Sequence, residues 1–125
     1  MDKKIYTAFK ALGEPTRLRI VKMLSLRSMC VCELSEVLDM LQPRVSQHLK
    51  ILKEAGIVRE SKEGYWVYYI LEKERLHRLW HDFLFFLDSH LDKLEGYEKE
   101  LVRINTLDSN EKIKSIKEGL RFKKT

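Results

Sequence analysis

A mainly α-helical fold closed by a single β-hairpin is what this sequence predicts, on three observations. Apolar residues recur at spacings of three and four along most of the chain, the period of a helix with one buried face. Gly13 followed by Pro15, then Pro43, then Gly56, cut that pattern into short helices, because proline is tolerated only in a first turn and glycine readily ends a helix. One stretch, IVRESKEGYWVYYIL, changes period and is rich in β-branched and aromatic residues on both sides of a glycine, as a hairpin is.

Each element follows in order. Ile5, Phe9 and Leu12 define a first helix, which Gly13 is expected to end in a left-handed conformation. A second helix runs from about Pro15 to Leu26, with Glu14 at its cap. Its buried stripe is either Leu18, Val21 and Leu24, or Ile20 and Leu24. Leu34, Val37 and Leu38 mark a two-turn helix stopping near Met40. From about Pro43 to Ala55, the residues Val45, Leu49, Leu52 and Ala55 share one face, and Gly56 closes the helix. The hairpin turns at Lys62-Glu63-Gly64. From Lys73, one helix is expected to carry Leu76, Leu79, Trp80, Phe83, Leu87, Leu91 and Leu94, a stripe greasier than a small domain needs, until Gly96 bends or ends it. YEKELVRI continues helically, a loop covers Thr106 to Asn110, and a basic, weakly amphipathic tail with Ile113, Ile116 and Leu120 follows, partly disordered.

The length of 125 residues and a 44% hydrophobic content suffice for one folded unit with a core. Residues 1–95 form its main domain, and residues 96–125 a helical extension or tail. No apolar run is long enough to cross a bilayer, so no membrane partner is expected. The two cysteines, one residue apart, cannot build the disulfide framework of a small secreted domain. These features read as a cytoplasmic chain whose thiols are free to react or bind metal. The 24 Lys plus Arg against 19 Asp plus Glu, net +5, favour a polyanionic partner without demanding one.

Helix, helix, short helix, turn, helix and hairpin is the order of a winged helix-turn-helix. With Val45, Leu49 and Leu52 turned inward, the helix after Pro43 presents Gln42, Arg44, Ser46, Gln47 and Lys50 outward. Arg and Gln suit guanine and adenine edges, while Ser and Lys suit phosphates. Arg59, Lys62 and Tyr65 of the hairpin are placed to lie along a flanking groove. No acid interrupts the helix surface up to Lys50, which sets it apart from an ordinary solvated face. His48 reads as a boundary residue beside Leu49 rather than a metal ligand.

The segments LGEPTRLRIVKML, CVCELSEVL, QPRVSQHLKILKEAGIV and EGYWVYYIL, together covering Phe9 to Leu71, resemble the ArsR/SmtB family of metal-responsive repressors. The resemblance implies a repressor that needs no cofactor to bind double-stranded operator DNA, and a homodimer joined through its first and last helices. Phe9 and the Leu76 to Leu94 stripe, too apolar for one copy to bury, agree with that. Relatives usually have Ser where Leu41 stands, so a hydroxyl cap worth on the order of 1 kcal/mol is missing at the helix after it.

Cys30 and Cys32 stand at the start of the helix-turn-helix. A helix N-terminus lowers a thiol's pKa, and in a regular helix residues two apart point about 200° apart. Holding one soft ion with both sulfurs therefore requires a departure from helical geometry around Cys30, and such binding is expected to distort the helix behind it. Arsenic-responsive relatives have a run similar to CVCELC, which makes As(III) or Sb(III) the inducer that the resemblance implies. Ser35 stands here at the third position, leaving the third ligand to a water, a hydroxyl or an outside thiol; another soft metal ion is the variant of this reading. The family's zinc positions fall on Lys73 and Arg75, and Asp88-Ser89-His90 has no later His to pair with, so zinc is rejected; His77 and His81 read as surface residues. The rivals are a redox or persulfide sensor built on the same thiols, and a protein-interaction adaptor that ignores DNA. An enzyme is not expected, because no Cys-x-x-Cys pair, Gly-rich phosphate loop or Ser-His-Asp arrangement is present.

Overall fold

The computed structural model describes residues 2–124, with side chains described over residues 3–119. Its elements are α1 (Asp2–Leu12), α2 (Pro15–Leu26), β1 (Met29–Cys30), α3 (Val31–Leu38), α4 (Gln42–Glu54), β2 (Val58–Glu63), β3 (Trp66–Leu71), α5 (Lys73–Asp88), α6 (Glu98–Asn105) and α7 (Glu111–Lys124), with short 3₁₀ turns at Leu91–Lys93 and Leu107–Ser109. This is a winged helix-turn-helix, mainly α with a β-hairpin wing. The chain forms two compact units, the first ending at Leu84 and the second starting at Phe85.

In the first unit α1 to α4 wrap a core of Ile20, Leu24, Leu34, Val45, Leu49, Leu52, Ile57 and Val58. Val45, Leu49 and Leu52 are fully buried, which fixes the rotation of α4 about its axis and so decides which side chains face outward. On α2, Ile20 and Leu24 are buried while Leu18 is exposed, resolving the two stripes. Glu14 caps α2 by accepting from the Arg17 N–H at 2.9 Å, and Pro15 opens the helix as its missing N–H allows. On α1 the buried residues are Ile5, Ala8 and Ala11, and Phe9 is left 39% exposed. The small alanines let α1 approach the core closely, and an apolar-spacing argument weights them too little.

Several expectations change. Gly13 ends α1 without a positive φ; its N–H simply continues the helical pattern to Phe9 O at 2.8 Å. The left-handed glycines are Gly56, Gly64 and Gly96, and the one left-handed non-glycine among the described residues is Asp39, which ends α3 at φ 52°. The hairpin turns on Gly64 and Tyr65, with Glu63 and Trp66 paired across it. Gly64 alone has positive φ there, as a two-residue turn with glycine first requires. Helix α5 stops at Asp88, so Leu91 and Leu94 do not continue its stripe. The Ser89 hydroxyl takes the Phe85 carbonyl at 2.6 Å, and His90 turns extended, its Nδ1 2.7 Å from Asp92. The Ser89 N–H still makes the helical bond to the Phe85 carbonyl at 2.9 Å, so the helix is left at His90, where the backbone becomes extended.

In the second unit the rings of Phe86 and Tyr97 lie 6.2 Å apart, tilted by 50°, Asn110 caps the last helix by accepting from the Ile113 N–H, and the tail is helical where a partly disordered segment was expected. Ile113 is half-buried and Ile116 exposed; the side chain of Leu120 lies outside the described ones.

Candidate DNA-reading surface and thiol pair

Gln42, Arg44, Ser46, Gln47 and Lys50 are all exposed on α4, forming a ridge from the helix N-terminus to its middle. Neither Arg44 nor Lys50 pairs with a carboxylate among the described residues, so both cations are free to meet phosphates or bases. Leu41 occupies the cap of α4 with no side-chain hydrogen bond and is 74% exposed. Leu41→Ser is therefore expected to raise unfolding stability by about 1 kcal/mol, read as a higher denaturant midpoint at unchanged slope. An unmoved midpoint would mean that these N–H groups are already satisfied.

The wing stands beside this ridge. Tyr65 is fully exposed at its tip and Lys62 is exposed along β2. Arg59 is exposed too, but its guanidinium lies 2.7 Å from Glu72 at the base of the hairpin. Alternation along β2 puts Arg59 and Lys62 on opposite faces. Glu60 shares the face of Lys62 and ties the wing to the reading helix: its carboxylate is 3.2 Å from Lys53 Nζ on α4 and accepts from the Tyr69 hydroxyl at 3.2 Å. The Lys53 contact, and then the tyrosine bond, hold Glu60 below the usual carboxylate range. Nothing in the sequence marks that bridge, because Lys53 and Glu60 meet only once the chain reverses at Gly56.

A second tie was also invisible to spacing. His48 on α4 does sit at the core boundary, its side chain 16% exposed, but polar partners hold it. Arg17 Nη1 lies 3.2 Å from His48 Nδ1, and Glu14 Oε2 is 3.8 Å away. A guanidinium can only donate, so Nδ1 accepts. The same guanidinium donates to the carbonyls of Ala11 and Lys10, closing the end of α1. Arg17 thus joins α1, α2 and the reading helix.

The cysteines sit where a strand becomes a helix. Met29 and Cys30 pair with Tyr69 and Tyr68, adding a third strand to the wing in the order β1-β3-β2. Cys30 has extended backbone, φ −87° and ψ 170°, and is also the N-cap residue of α3. Its N–H donates to Glu33 Oε1 at 3.0 Å, which holds the Glu33 carboxyl below its ordinary range. Because Cys30 lies outside the helix and Cys32 within its first turn, the two sulfurs come to 2.9 Å of each other. The departure from helical geometry that a shared ligand requires is already present, so binding need not unwind α3 to create it.

The expected lowering of thiol pKa does not hold at Cys30. Burial, followed by the Cys32 contact, pushes this thiol up; desolvation of the charged form outweighs the helix terminus. Cys30 is buried and Cys32 half-buried, so a solute reaches the pair from the Cys32 side. The Ser35 hydroxyl donates to the Met40 carbonyl, at the far end of α3 from Cys30. No cluster of three or more His, Cys, Asp or Glu able to hold a metal occurs among the described residues, and none of their helices is long and apolar enough to cross a membrane.

Comparison with known proteins agrees with this geometry. The profile described as "Bacterial regulatory protein, arsR family" matches residues 14–60, from the cap of α2 into the wing. An uncharacterised HTH-type transcriptional regulator of Methanocaldococcus jannaschii is 48% identical over 75 residues, 59% of this chain and 84% of that one. The arsenical resistance operon repressor of Staphylococcus xylosus is 31% identical over 117 residues, covering 94% and 95% of the two chains. Among solved structures, that of a "possible transcriptional regulator for arsenical resistance" superposes with TM-score 0.57 at 34% identity, over 69% of this chain and 90% of that chain. The homodimeric winged helix-turn-helix DNA-binding domain of a possible ArsR-family regulator from Mycobacterium bovis superposes with TM-score 0.58 at 27% identity, over 74% and 86%. From the buried face of α4 to the wing that flanks it, the chain belongs to the ArsR family, DNA-binding winged-helix transcriptional regulators that are not enzymes.

Proposed function

We propose that this protein is a homodimeric repressor that holds operator DNA through α4 and the wing and is released when a soft metalloid, As(III) or Sb(III), binds Cys30 and Cys32. The observation that carries the sensing half is the 2.9 Å approach of two free thiols at the junction of β1 and α3. The arsenical-resistance naming of the Staphylococcus xylosus relative supports the choice of inducer. Two soft sulfur donors fit a thiophilic centre, and that centre supplies bonds that hold both sulfurs at once.

The chain's own part is mechanical. Bonds to both sulfurs fix Cys30 against Cys32, and any shift of the Cys30 backbone that binding imposes moves its register partner Tyr68 on β3 or releases Glu33 from its N–H. The first shifts the wing, and the second loosens the start of α3, which packs on α4 through the core around Leu34. A coupling of roughly 1–3 kcal/mol, a 5- to 150-fold change in DNA affinity, is ordinary for such linkage. A thiol-oxidation sensor is the second reading, favoured by the same sulfur contact.

Gel shifts on operator variants test the DNA half. Arg44→Ala is expected to weaken binding and relax preference at one base pair, costing about 1–3 kcal/mol there, while Lys50→Ala weakens every sequence alike. Equal losses on all sites for both variants would remove Arg44 from base reading. Titrating As(III), Sb(III), Cd(II), Zn(II) and peroxide against the bound operator tests the sensing half. Release by peroxide but not by arsenite would favour the oxidation reading.

A further inference from the structure

A cleft of about 590 Å³ opens between the first turns of α1, the end of α4 and the start of α5, away from both the reading ridge and the thiols. Among the described residues its rim carries Lys3, Lys4, Lys53 and Arg75 against the one carboxylate of Glu54. Lys53 is partly neutralised by Glu60 at 3.2 Å, whereas Lys3, Lys4 and Arg75 pair with no carboxylate among the described residues. The first turns of two helices, 11 and 16 residues long, border the same space and add their positive ends. Its apolar wall comes from Ala8, Ile57, Leu76 and Leu79.

Arg75 is held in position by the chain reversal at Gly56. A Cβ built on Gly56 would lie 2.9 Å from Arg75 Cζ and Nη1, so the guanidinium rests against bare backbone that only glycine leaves open. A guanidinium placed this way and lacking a carboxylate among the described residues is a ready two-pronged donor to the oxygens of a carboxylate or sulfonate. The volume falls within the range of small-molecule sites, whose pattern is an apolar wall with a few convergent polar groups.

We infer that this cleft is a second ligand site, which takes a small amphipathic organic anion, a carboxylate or sulfonate on an apolar body, with Arg75 gripping the anionic group and Leu76 and Leu79 covering the body. The inference does not depend on the thiol-sensing reading, because no cysteine lines the cleft.

Fluorescence titration of the 125-residue protein with anilinonaphthalene sulfonate tests it, with the uncharged N-phenylnaphthylamine as comparison. A saturable site is expected that weakens at least tenfold in Arg75→Gln and in Lys3→Gln/Lys4→Gln, weakens with added salt, and is unchanged in Cys30→Ser/Cys32→Ser. The lysine pair, on an exposed first turn, keeps the test decisive if Arg75→Gln fails to fold. Binding that survives both sets of substitutions, or that is matched by the uncharged compound, would overturn the inference. So would binding that disappears in Trp80→Ala, since the dye would then be reporting the exposed aromatic face of α5.

Discussion

Cys30→Ser/Cys32→Ser is expected to bind operator DNA as tightly as the unaltered protein and to stay bound when arsenite is added, so that release falls from the 5- to 150-fold range to none. The proposed reading ridge lies on α4 and neither thiol is among its residues, so basal affinity has no reason to change. Either single variant is expected to lose most of the response, because one sulfur gives the ligand no hold on both β1 and α3. Gel shifts with and without arsenite check this. Release that persists in the double variant would place the sensor elsewhere in the chain.

The raised Cys30 pKa adds a signature that separates inducers. Arsenous acid exchanges one hydroxyl for each thiol and gives off water, so its binding takes up and releases no net proton in the neutral range. A divalent cation must expel a proton from each thiol it binds, and its affinity should climb by up to about 100-fold per pH unit below the thiol pKa. Comparing arsenite and cadmium titrations across neutral pH distinguishes the two. The same shift bears on stability. A thiol whose pKa is raised on folding stabilises the folded state fully below its unfolded value of about 8.5, and that contribution is lost as pH rises through the folded value.

Trp80→Glu is expected to convert the proposed dimer to a monomer and to weaken binding to a two-half-site operator by two to four orders of magnitude. No residue of α5 is buried within one chain: Trp80 is 53%, Phe85 67% and Leu87 63% exposed, with Tyr6 of α1 at 66%. The rings are nonetheless organised, Phe9 packing edge-on against Phe83 at 5.0 Å and Trp80 beside Phe83 at 5.7 Å, which makes a preformed apolar face. Covering the exposed half of one tryptophan is worth about 2–3 kcal/mol per copy, and two-fold symmetry counts it twice. A carboxylate there loses that gain and must itself be desolvated. Light scattering gives the mass, and paired gel shifts on one and two half-sites give the affinities. A variant that stays dimeric, or that loses equally on a single half-site, would remove α5 from the interface.

The helices that read most clearly were those whose burial is one-sided and local. For α2 the cap Glu14, the opening Pro15 and the end at Leu26 are all short-range chemistry, and they stand where spacing put them. The inward set Val45, Leu49 and Leu52 is fully buried for the same reason. Strand β1 was not legible: two residues carry no period, and Met29 and Cys30 become a strand only because β3 offers them a free edge. The end of α5 at Asp88 was not legible because Leu91 and Leu94 prolong its apolar spacing, whereas the backbone turns extended at His90.

By itself the sequence determined the order of the first four helices and the hairpin, the face of α4 that is buried, and hence the acid-free set from Gln42 to Lys50 left in solvent, because each depends on residues within a turn or two of one another. Tertiary structure alone decided that Cys30 belongs to a wing strand while Cys32 belongs to a helix, that Arg17 reaches His48, and that Glu60 ties the wing to Lys53. Those contacts join residues far apart along the chain, and no local periodicity encodes them. The same packing reversed the expected effect on the Cys30 thiol, since a residue drawn into a sheet and buried there feels the loss of water more than the end of the helix it caps.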